Sequence, residues 1–123
     1  MKGKSLTPVI LDTNAILMQF EFKIDLEDEI TRLLGAIEIL IPSSVLDELK
    51  NIKDKHVKSA LNLASRYKTV ETEKKGDKSI LFLAEKLNAV VVTNDGELRR
   101  RLKEKGIKVI YLRQKSFLDM DIP

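Results

Sequence analysis

The chain has 123 residues, of which 43% are hydrophobic and 33% charged, and its formal net charge is +3. A chain of this length builds one compact core and is too short for two. No apolar run approaches the roughly 20 residues that cross a membrane, and no secretory signal is recognisable. The lack of cysteine excludes disulfides and thiolate metal sites. We therefore expect a single soluble domain over residues 1–123, located in the cytoplasm.

Five apolar runs predict the strands of this domain. In chain order they are "PVILD" at 8–12, "IEILIP" at 37–42, "KTVET" at 68–72, "AVVVTN" at 89–94 and "KVIYL" at 108–112. All except the weaker run at 68–72 are continuously apolar, which is typical of parallel strands covered on both faces. They predict a central parallel sheet of four to five strands.

Apolar residues at helical spacing lie between these strands. The three clearest sets are Leu26, Ile30, Leu33 and Leu34; Val57, Ala60, Leu61, Ala64 and Tyr67; and Ile80, Leu81, Ala84 and Leu87. Gly35 and Gly106 stand where helices are expected to end. The alternation of strands and helices predicts an α/β fold, as a three-layer α/β/α sandwich. Residues 113–123 show no clear period and are expected to form a tail that is flexible or docks on another subunit.

Two carboxylates follow strands of the predicted sheet. Asp12 ends the first strand, and Asp95 comes directly after "AVVVTN". Ligands of parallel sheets bind at the carboxyl ends of the strands, so these two side chains are candidates for a functional site. The alternative is that both acids begin helices, with Asn94 and Glu97 forming a capping pair.

Two further carboxylates lie on helix faces that should be apolar. Val45, Leu49 and Ile52 form an apolar stripe, and the spacing places Glu48 on that stripe. Since a buried carboxylate costs several kcal/mol without compensation, an inward Glu48 indicates a compensating partner. Asp77 is in register with the apolar face of its own helix. The alternatives are a helix-rim acid that pairs with a lysine, for Glu48, and an N-cap, for Asp77.

Four such carboxylates, without cysteine and with one histidine, predict an oxygen-ligand site for a hard divalent cation. Ionised carboxylates at close range repel one another, whereas Mg²⁺ or Mn²⁺ accepts them and bridges to phosphate oxygens. His56 has no histidine or cysteine partner for a metal site, and we expect it to have an ordinary surface role.

These residues resemble the motifs of the PIN-domain nucleases. "LDTN" matches the first motif with Asp12, "PSSVLDELK" the second with Glu48, "KGDKSILFLA" the third with Asp77, and "VVTNDGELR" the fourth with Asp95. The resemblance covers residues 9 to about 112, and the family has the same sandwich fold. "GIKVIYLRQ" and "LDTNAILMQFEFKIDLEDEI" look more like the ribosome-biogenesis branch than like the toxins of toxin-antitoxin pairs.

The resemblance implies an endoribonuclease that uses Mg²⁺ or Mn²⁺ to cleave single-stranded RNA, with precursor ribosomal RNA as the expected substrate. It implies Asp12 and Asp95 as central metal ligands, completed by Glu48 and Asp77. Candidates for orienting the carboxylates or contacting phosphate are Thr13, Asn14, Thr93 and Asn94. For the two asparagines, helix capping is an alternative that is compatible with that role. Family members are often dimers, which implies a homodimer here.

Basic residues near the motifs are candidates for contacts with the RNA backbone, namely Lys50, Lys53, Arg99, Arg100 and Arg101. The alternative is a set of ordinary solvated helix faces.

Three other functions stay open at the level of sequence. They are a toxin-type ribonuclease, a non-catalytic RNA-binding scaffold and a phosphatase of the haloacid-dehalogenase class. The last requires a second aspartate two positions after the first, where this chain has Asn14.

Overall fold

The computed structural model describes residues 5–122. Its strands and helices, in chain order, are β1 (Thr7–Leu11), α1 (Thr13–Glu21), α2 (Leu26–Leu34), β2 (Ile37–Pro42), α3 (Ser43–Asn51), α4 (Val57–Ala64), β3 (Lys68–Val70), α5 (Asp77–Leu87), β4 (Val90–Val92), α6 (Gly96–Glu104), β5 (Val109–Arg113) and β6 (Phe117–Asp121). The predicted succession of strands and helices is confirmed, including the weak strand near residue 68. None of these helices is both long and apolar enough to cross a membrane.

The strands form one sheet in the order β3-β2-β1-β4-β5-β6. The first five are parallel, with Val9 of β1 opposite Ile39 on one side and opposite Val90 on the other. The chain builds the sheet outward from β1 to β3, crosses back to β4 and then proceeds in the other direction. The strand order therefore reverses between β1 and β4, the kind of position at which parallel sheets bind ligands.

The two directions of sheet growth place the helices on opposite faces, because parallel crossovers are right-handed. In agreement, α1, α3 and α4 contact one another, and α5 contacts α6. The sheet between the two helix layers is buried, and the fully buried residues include Ile10, Ile41, Val91 and Ile110. Continuous burial explains why these strands are apolar throughout. The three-layer sandwich predicted from the sequence is confirmed.

The C-terminal residues differ from the flexible tail expected over 113–123. Residues 117–121 form β6, which pairs antiparallel with β5, and Leu118 is fully buried. The turn that joins the two strands has Gln114 and Lys115 at positive φ angles of 53° and 55°. Neither residue type signals such a turn, and this strand has little apolar periodicity, so local sequence does not reveal the hairpin.

Two side chains of α2 hold the outer edge of β6. The backbone N–H of Leu118 donates to Glu29 Oε1 at 3.0 Å, and Arg32 Nη2 donates to the Leu118 carbonyl at 2.7 Å. Glu29 and Arg32 are also paired with each other at 3.2 Å. These contacts satisfy the outward backbone groups of Leu118 and so reduce the capacity of this edge strand to pair with another chain.

Glu29→Ala removes the acceptor of the Leu118 amide and should speed the hydrogen exchange of that amide. We expect about a two- to tenfold increase, corresponding to a net hydrogen-bond contribution of about 0.5–1.5 kcal/mol. NMR-detected exchange measures the effect, with Asp28→Ala on the same helix as the control. Equal Leu118 exchange in the wild type and Glu29→Ala would contradict this role for Glu29.

Candidate active site

The reversal of strand order brings Asp12 and Asp95 to the same crevice. Leu11 is opposite Val92 in the sheet, so the next residues of β1 and β4, Asp12 and Thr93, leave the sheet side by side. Asp95 follows two residues later and begins α6. The proximity of the two carboxylates is thus a consequence of parallel pairing between β1 and β4.

Asp12 is 7% exposed, and both of its carboxylate oxygens accept hydrogen bonds. Oδ1 accepts from the backbone N–H of Ala15 at 2.7 Å, and Oδ2 accepts from the hydroxyl of Thr93. Asp12 therefore does cap α1, as the alternative interpretation predicted, and capping fixes its carboxylate at the crevice. Burial raises the pKa of Asp12 to about 6, because the loss of hydration outweighs these hydrogen bonds.

Thr93 connects Asp12 to Asp95. Its fully buried hydroxyl donates to Asp12 and accepts the backbone N–H of Asp95 at 3.1 Å. Asp95 Oδ1 in turn accepts from the N–H of Leu98 at 3.0 Å, so Asp95 is the N-cap of α6. The predicted role of Thr93 in orienting a carboxylate has a direct geometric basis in these bonds.

Asp77 is the first residue of α5 and is half-buried. The N-cap alternative is wrong for this residue, since Gly76 occupies the cap position with a φ of 61° and no side chain caps the helix. Burial raises the pKa of Asp77, and the negative charge of Asp95 adds to the effect, whereas the positive charge of Arg101 opposes it. Asp77 therefore responds to the charge of the crevice.

Glu48 differs from the inward orientation expected from its stripe. Val45 and Leu49 are buried, but Glu48 is exposed at the mouth of the crevice. The stripe of α3 passes from the core to the crevice, so Glu48 faces solvent next to the other acids instead of the interior. The pairing with a lysine that formed the alternative is not found among the salt bridges of residues 5–122.

The structure brings the four predicted carboxylates into one open cavity of about 150 Å³, which we call the acidic cleft. It is far smaller than the roughly 300 Å³ at which small-molecule pockets begin, and suits ions and a phosphate group better than a base. The residues that line the acidic cleft are Asp12, Thr13, Asn14, Ser44, Val45, Glu48, Gly76, Asp77, Ile80 and Asp95.

A chain of hydroxyl groups, which the sequence did not reveal, joins α3 to the start of α5. Ser79 Oγ donates to the Gly76 carbonyl at 2.7 Å and lies 2.7 Å from Ser44 Oγ. Because Ser79 has a single hydroxyl proton, Ser44 must be the donor in the second bond. Ser44 therefore offers only lone pairs to the acidic cleft. Serines at the start of a helix are common, so their residue type gave no signal of this role.

The donor set of the acidic cleft fits a hard cation. The four carboxylates and Ser44 present acceptor oxygens, which would repel a phosphate unless a cation lies between them. Within residues 5–122, no three acidic or histidine side chains form a ready metal-binding group. Mg²⁺ is commonly held by one or two carboxylates while it retains several waters, so a Mg²⁺ site would not require three of these side chains.

The structure places some of the other predicted site residues at the acidic cleft and others away from it. Thr13 and Asn14 line the acidic cleft. Asn94 does not line it: its Oδ1 accepts from the backbone N–H of Leu112 at 2.7 Å and ties β5 to the end of β4. Helix capping, the alternative interpretation of Asn94, is also wrong, because Asp95 is the cap of α6.

The predicted RNA-binding residues also differ from one another in their surroundings. Arg100 pairs with both Glu97 and Glu104 on its own helix. Arg99 pairs with Asp121 at 3.4 Å, and its guanidinium lies 4.1 Å from the ring centroid of Tyr111. These two arginines already have intramolecular partners, which makes them weaker candidates for phosphate contacts.

Arg101 remains a candidate because its charge acts on Asp77. Lys50 is exposed in the last turn of α3, the helix that carries Glu48, and Lys53 is exposed just after that helix; their contact with RNA stays a prediction. His56 stacks on Phe20 with 6.3 Å between ring centroids and is half-buried, so it packs between helices more closely than a surface residue would.

Asp12→Asn should stabilise the metal-free protein at neutral and higher pH. The folded pKa of about 6 lies above the ordinary value of 3.8, so folding favours the protonated form. Protonation of Asp12 therefore stabilises the folded state fully below about pH 4, and this stabilisation is lost as the pH rises through 6. The loss is about 3 kcal/mol, since each pKa unit corresponds to 1.36 kcal/mol. Asparagine retains a cap acceptor and carries no charge.

Thermal unfolding in EDTA at pH 4 and pH 8 measures this effect. The melting temperature of Asp12→Asn should exceed that of the wild type at pH 8, and the excess should shrink at pH 4. Asp28→Asn is the control, because Asp28 is exposed and its charge is not among those that shift the pKa of Asp12. A difference between Asp12→Asn and the wild type that did not change with pH would contradict the raised pKa.

Comparison with known proteins places this cleft in a family context. The sequence matches the family described as "PIN like domain" over residues 9–115. It is 36% identical to ribonuclease VapC9 of Archaeoglobus fulgidus over 112 residues, covering 85% of this chain and 82% of the relative. It is also 36% identical to ribonuclease VapC4 of Methanocaldococcus jannaschii, covering 91% of this chain and 95% of the relative.

The fold gives a consistent result. The structure of the PIN domain endonuclease Utp24 superposes with a TM-score of 0.82 at 26% identity, covering 94% of this chain and 92% of Utp24. The family resemblance predicted from the four acidic motifs is thereby confirmed. Since the matched residues 9–115 span most of the sequence, the chain belongs to the PIN-like domain family.

Proposed function

We propose that this protein is a divalent-metal-dependent endoribonuclease that hydrolyses phosphodiester bonds of single-stranded RNA. The observation that carries the proposal is the convergence of Asp12, Glu48, Asp77 and Asp95 in one cleft at the reversal of strand order. The names of the relatives, two ribonucleases and one endonuclease, support it.

In this proposal Asp12 and Asp95 hold the cation, and Glu48 and Asp77 complete its surroundings directly or through water. A bound Mg²⁺ or Mn²⁺ supplies Lewis-acid chemistry at the scissile phosphate. Thr93 fixes the carboxylate of Asp12 and the backbone of Asp95 in one arrangement. Ser44, with its lone pairs directed to the cleft, accepts a hydrogen bond from water and so helps to orient it.

For the natural substrate we propose precursor ribosomal RNA, on the resemblance of two sequence stretches to the ribosome-biogenesis branch. The structural likeness to Utp24 at 26% identity agrees with this choice. The two relatives named ribonuclease VapC favour a toxin-type ribonuclease instead. Cleavage of a defined site in a precursor ribosomal RNA, with slow cleavage of unrelated RNA, would support the first; arrest of host growth on expression, relieved by a co-encoded protein, would support the second.

A phosphatase and a non-catalytic scaffold are less well supported. A haloacid-dehalogenase phosphatase does not agree with membership of the PIN-like domain family. A non-catalytic RNA-binding scaffold would have no need to keep four carboxylates in one cleft at the cost of burying Asp12. A homodimer and a cytoplasmic location stay predictions from the sequence.

Asp12→Asn should abolish metal-dependent cleavage of end-labelled single-stranded RNA. We expect a loss of more than about 100-fold, because residues that only support metal ligands already contribute 10- to 100-fold. The assay includes Mn²⁺, Mg²⁺ or EDTA, and it compares matched DNA and duplex RNA as substrates.

Glu48→Gln tests the exposed member of the site, and Glu38→Gln, another exposed glutamate, is its matched control. We expect Glu48→Gln to weaken cleavage and to blunt the rise of melting temperature on addition of Mn²⁺, and Glu38→Gln to change neither.

Cleavage that persisted in Asp12→Asn, in a preparation free of other nucleases, would contradict the proposed function.

Thr93→Val should move the acid limb of the pH–rate profile to higher pH. The Thr93 hydroxyl lowers the pKa of Asp12 by donating to its carboxylate, so its removal raises that pKa and ionisation requires a higher pH. We expect a rate loss of about 10- to 100-fold at neutral pH, with recovery at higher pH. Thr93→Ser keeps the hydroxyl and should retain the wild-type profile; an identical shift in both variants would assign the effect to packing.

A further inference from the structure

The helix that begins with Asp77 also carries an exposed aromatic ring. Phe82 is 49% exposed, while its neighbours Leu81 and Leu83 are buried. Among the large hydrophobic side chains of residues 5–122 that are exposed, the others are Leu6 and Ile122, which are aliphatic. About half of the Phe82 side chain is therefore open to solvent within the described residues.

Two lysines approach this ring. The Nζ atom of Lys74 lies 5.4 Å from the ring centroid of Phe82, and the Nζ atom of Lys86 lies 6.0 Å from it. Both distances are in the range of cation–π contacts. The three residues form a surface that we call the Phe82 platform. An aromatic face between cations is the arrangement by which proteins hold a nucleic-acid base and its adjacent phosphates.

A row of three adjacent depressions, which we call the groove, leads from the acidic cleft to the Phe82 platform. The acidic cleft shares Ser44, Glu48 and Gly76 with a second depression between α3 and the chain before α5. That depression shares Thr72, Glu73 and Lys74 with a third, which contains Phe82 and Lys86. A strand that leaves the acidic cleft along this groove therefore passes the platform.

We propose that the Phe82 platform is a binding subsite for one base of the single-stranded RNA whose phosphodiester bond lies in the acidic cleft. This inference rests on the proposed function and adds a defined path for the substrate. Phe82 stacks on the base, and Lys74 and Lys86 neutralise the neighbouring phosphates. Phe82 is five residues after Asp77, about 7.5 Å along the helix axis and about 140° around it, so the strand reaches the ring by passing around the start of α5.

The charges of the groove limit where the backbone of the strand can lie. Glu71 and Glu73 line the same depression as Lys74 and Lys86. In the proposed complex the phosphates lie next to Lys74 and Lys86, because the two glutamates repel them. Two lysines next to one ring suit a single nucleic-acid strand better than a duplex. A duplex carries phosphates on both of its strands, and its stacked bases have no free face.

Phe82→Trp provides a direct measurement, because the chain has no tryptophan of its own. The variant keeps its four carboxylates, Ca²⁺ replaces Mg²⁺ to slow cleavage, and the fluorescence is followed on titration with a ten-nucleotide oligoadenylate. Stacking of a base should quench the emission, and an abasic chain of the same length should not. Leu6→Trp is the matched control: Leu6 is 52% exposed and precedes β1, whereas Asp12 of the acidic cleft follows the other end of that strand, so its emission should not change.

Phe82→Ala tests affinity and cleavage without a fluorescent reporter. We expect the dissociation constant for the same oligonucleotide to rise by about 5- to 150-fold, the range found when one stacked base is deprived of its aromatic partner. Replacing Lys74 and Lys86 with glutamine should reduce the slope of log K against log salt by about 0.7 for each phosphate that is no longer neutralised.

The outcomes separate this inference from the proposed function. Quenching in Phe82→Trp together with weaker binding of Phe82→Ala supports the subsite. Wild-type cleavage and affinity in Phe82→Ala, without quenching in Phe82→Trp, would overturn the subsite while leaving the nuclease intact, and would point to a protein partner for the platform. Failure of the wild type to bind or cleave RNA would overturn both.

Discussion

The hydroxyl of Thr93, placed between Asp12 and the backbone of Asp95, is the contact on which the candidate site depends. It exists because β1 and β4 are adjacent and parallel, although their residues are far apart in the chain. Reversal of strand order at this point opens a crevice above the sheet. The helices α1 and α6 begin at its rim, and each uses one of these aspartates as its N-cap.

Capping and a functional role are compatible for both aspartates. A cap requires one oxygen of a carboxylate, and its backbone donor fixes the direction in which the other oxygen points. The Asp12 carboxylate is oriented in this way and is also buried. Burial disfavours its charged form and raises its pKa to about 6. The fold thus keeps a destabilising negative charge on Asp12, at the position where it could bind a cation. Such conflicts between stability and function are common at active sites.

The helix α5 extends from the acidic cleft to the Phe82 platform. Its first residue, Asp77, lies in the acidic cleft, and Ser79 fixes the preceding turn through Gly76 and contacts Ser44 of α3. One turn further on, Phe82 stands exposed at the end of a groove that begins at the acids. A single rigid helix therefore sets the distance between the bond to be cleaved and the base proposed to stack on the ring.

Local sequence patterns determined the parallel strands, most helices, the helix ends at Gly35 and Gly106, and the identity of the four acids, because periodicity and capping act over a few residues. The tertiary structure decided which side chains meet. Glu48 lies at the mouth of the cleft because α3 passes from core to solvent there, and β6 forms because α2 and β5 hold both of its edges. The pairs Thr93–Asp12 and Ser44–Ser79 join residues 81 and 35 positions apart. Such contacts depend on strand order and helix packing, which no local pattern encodes.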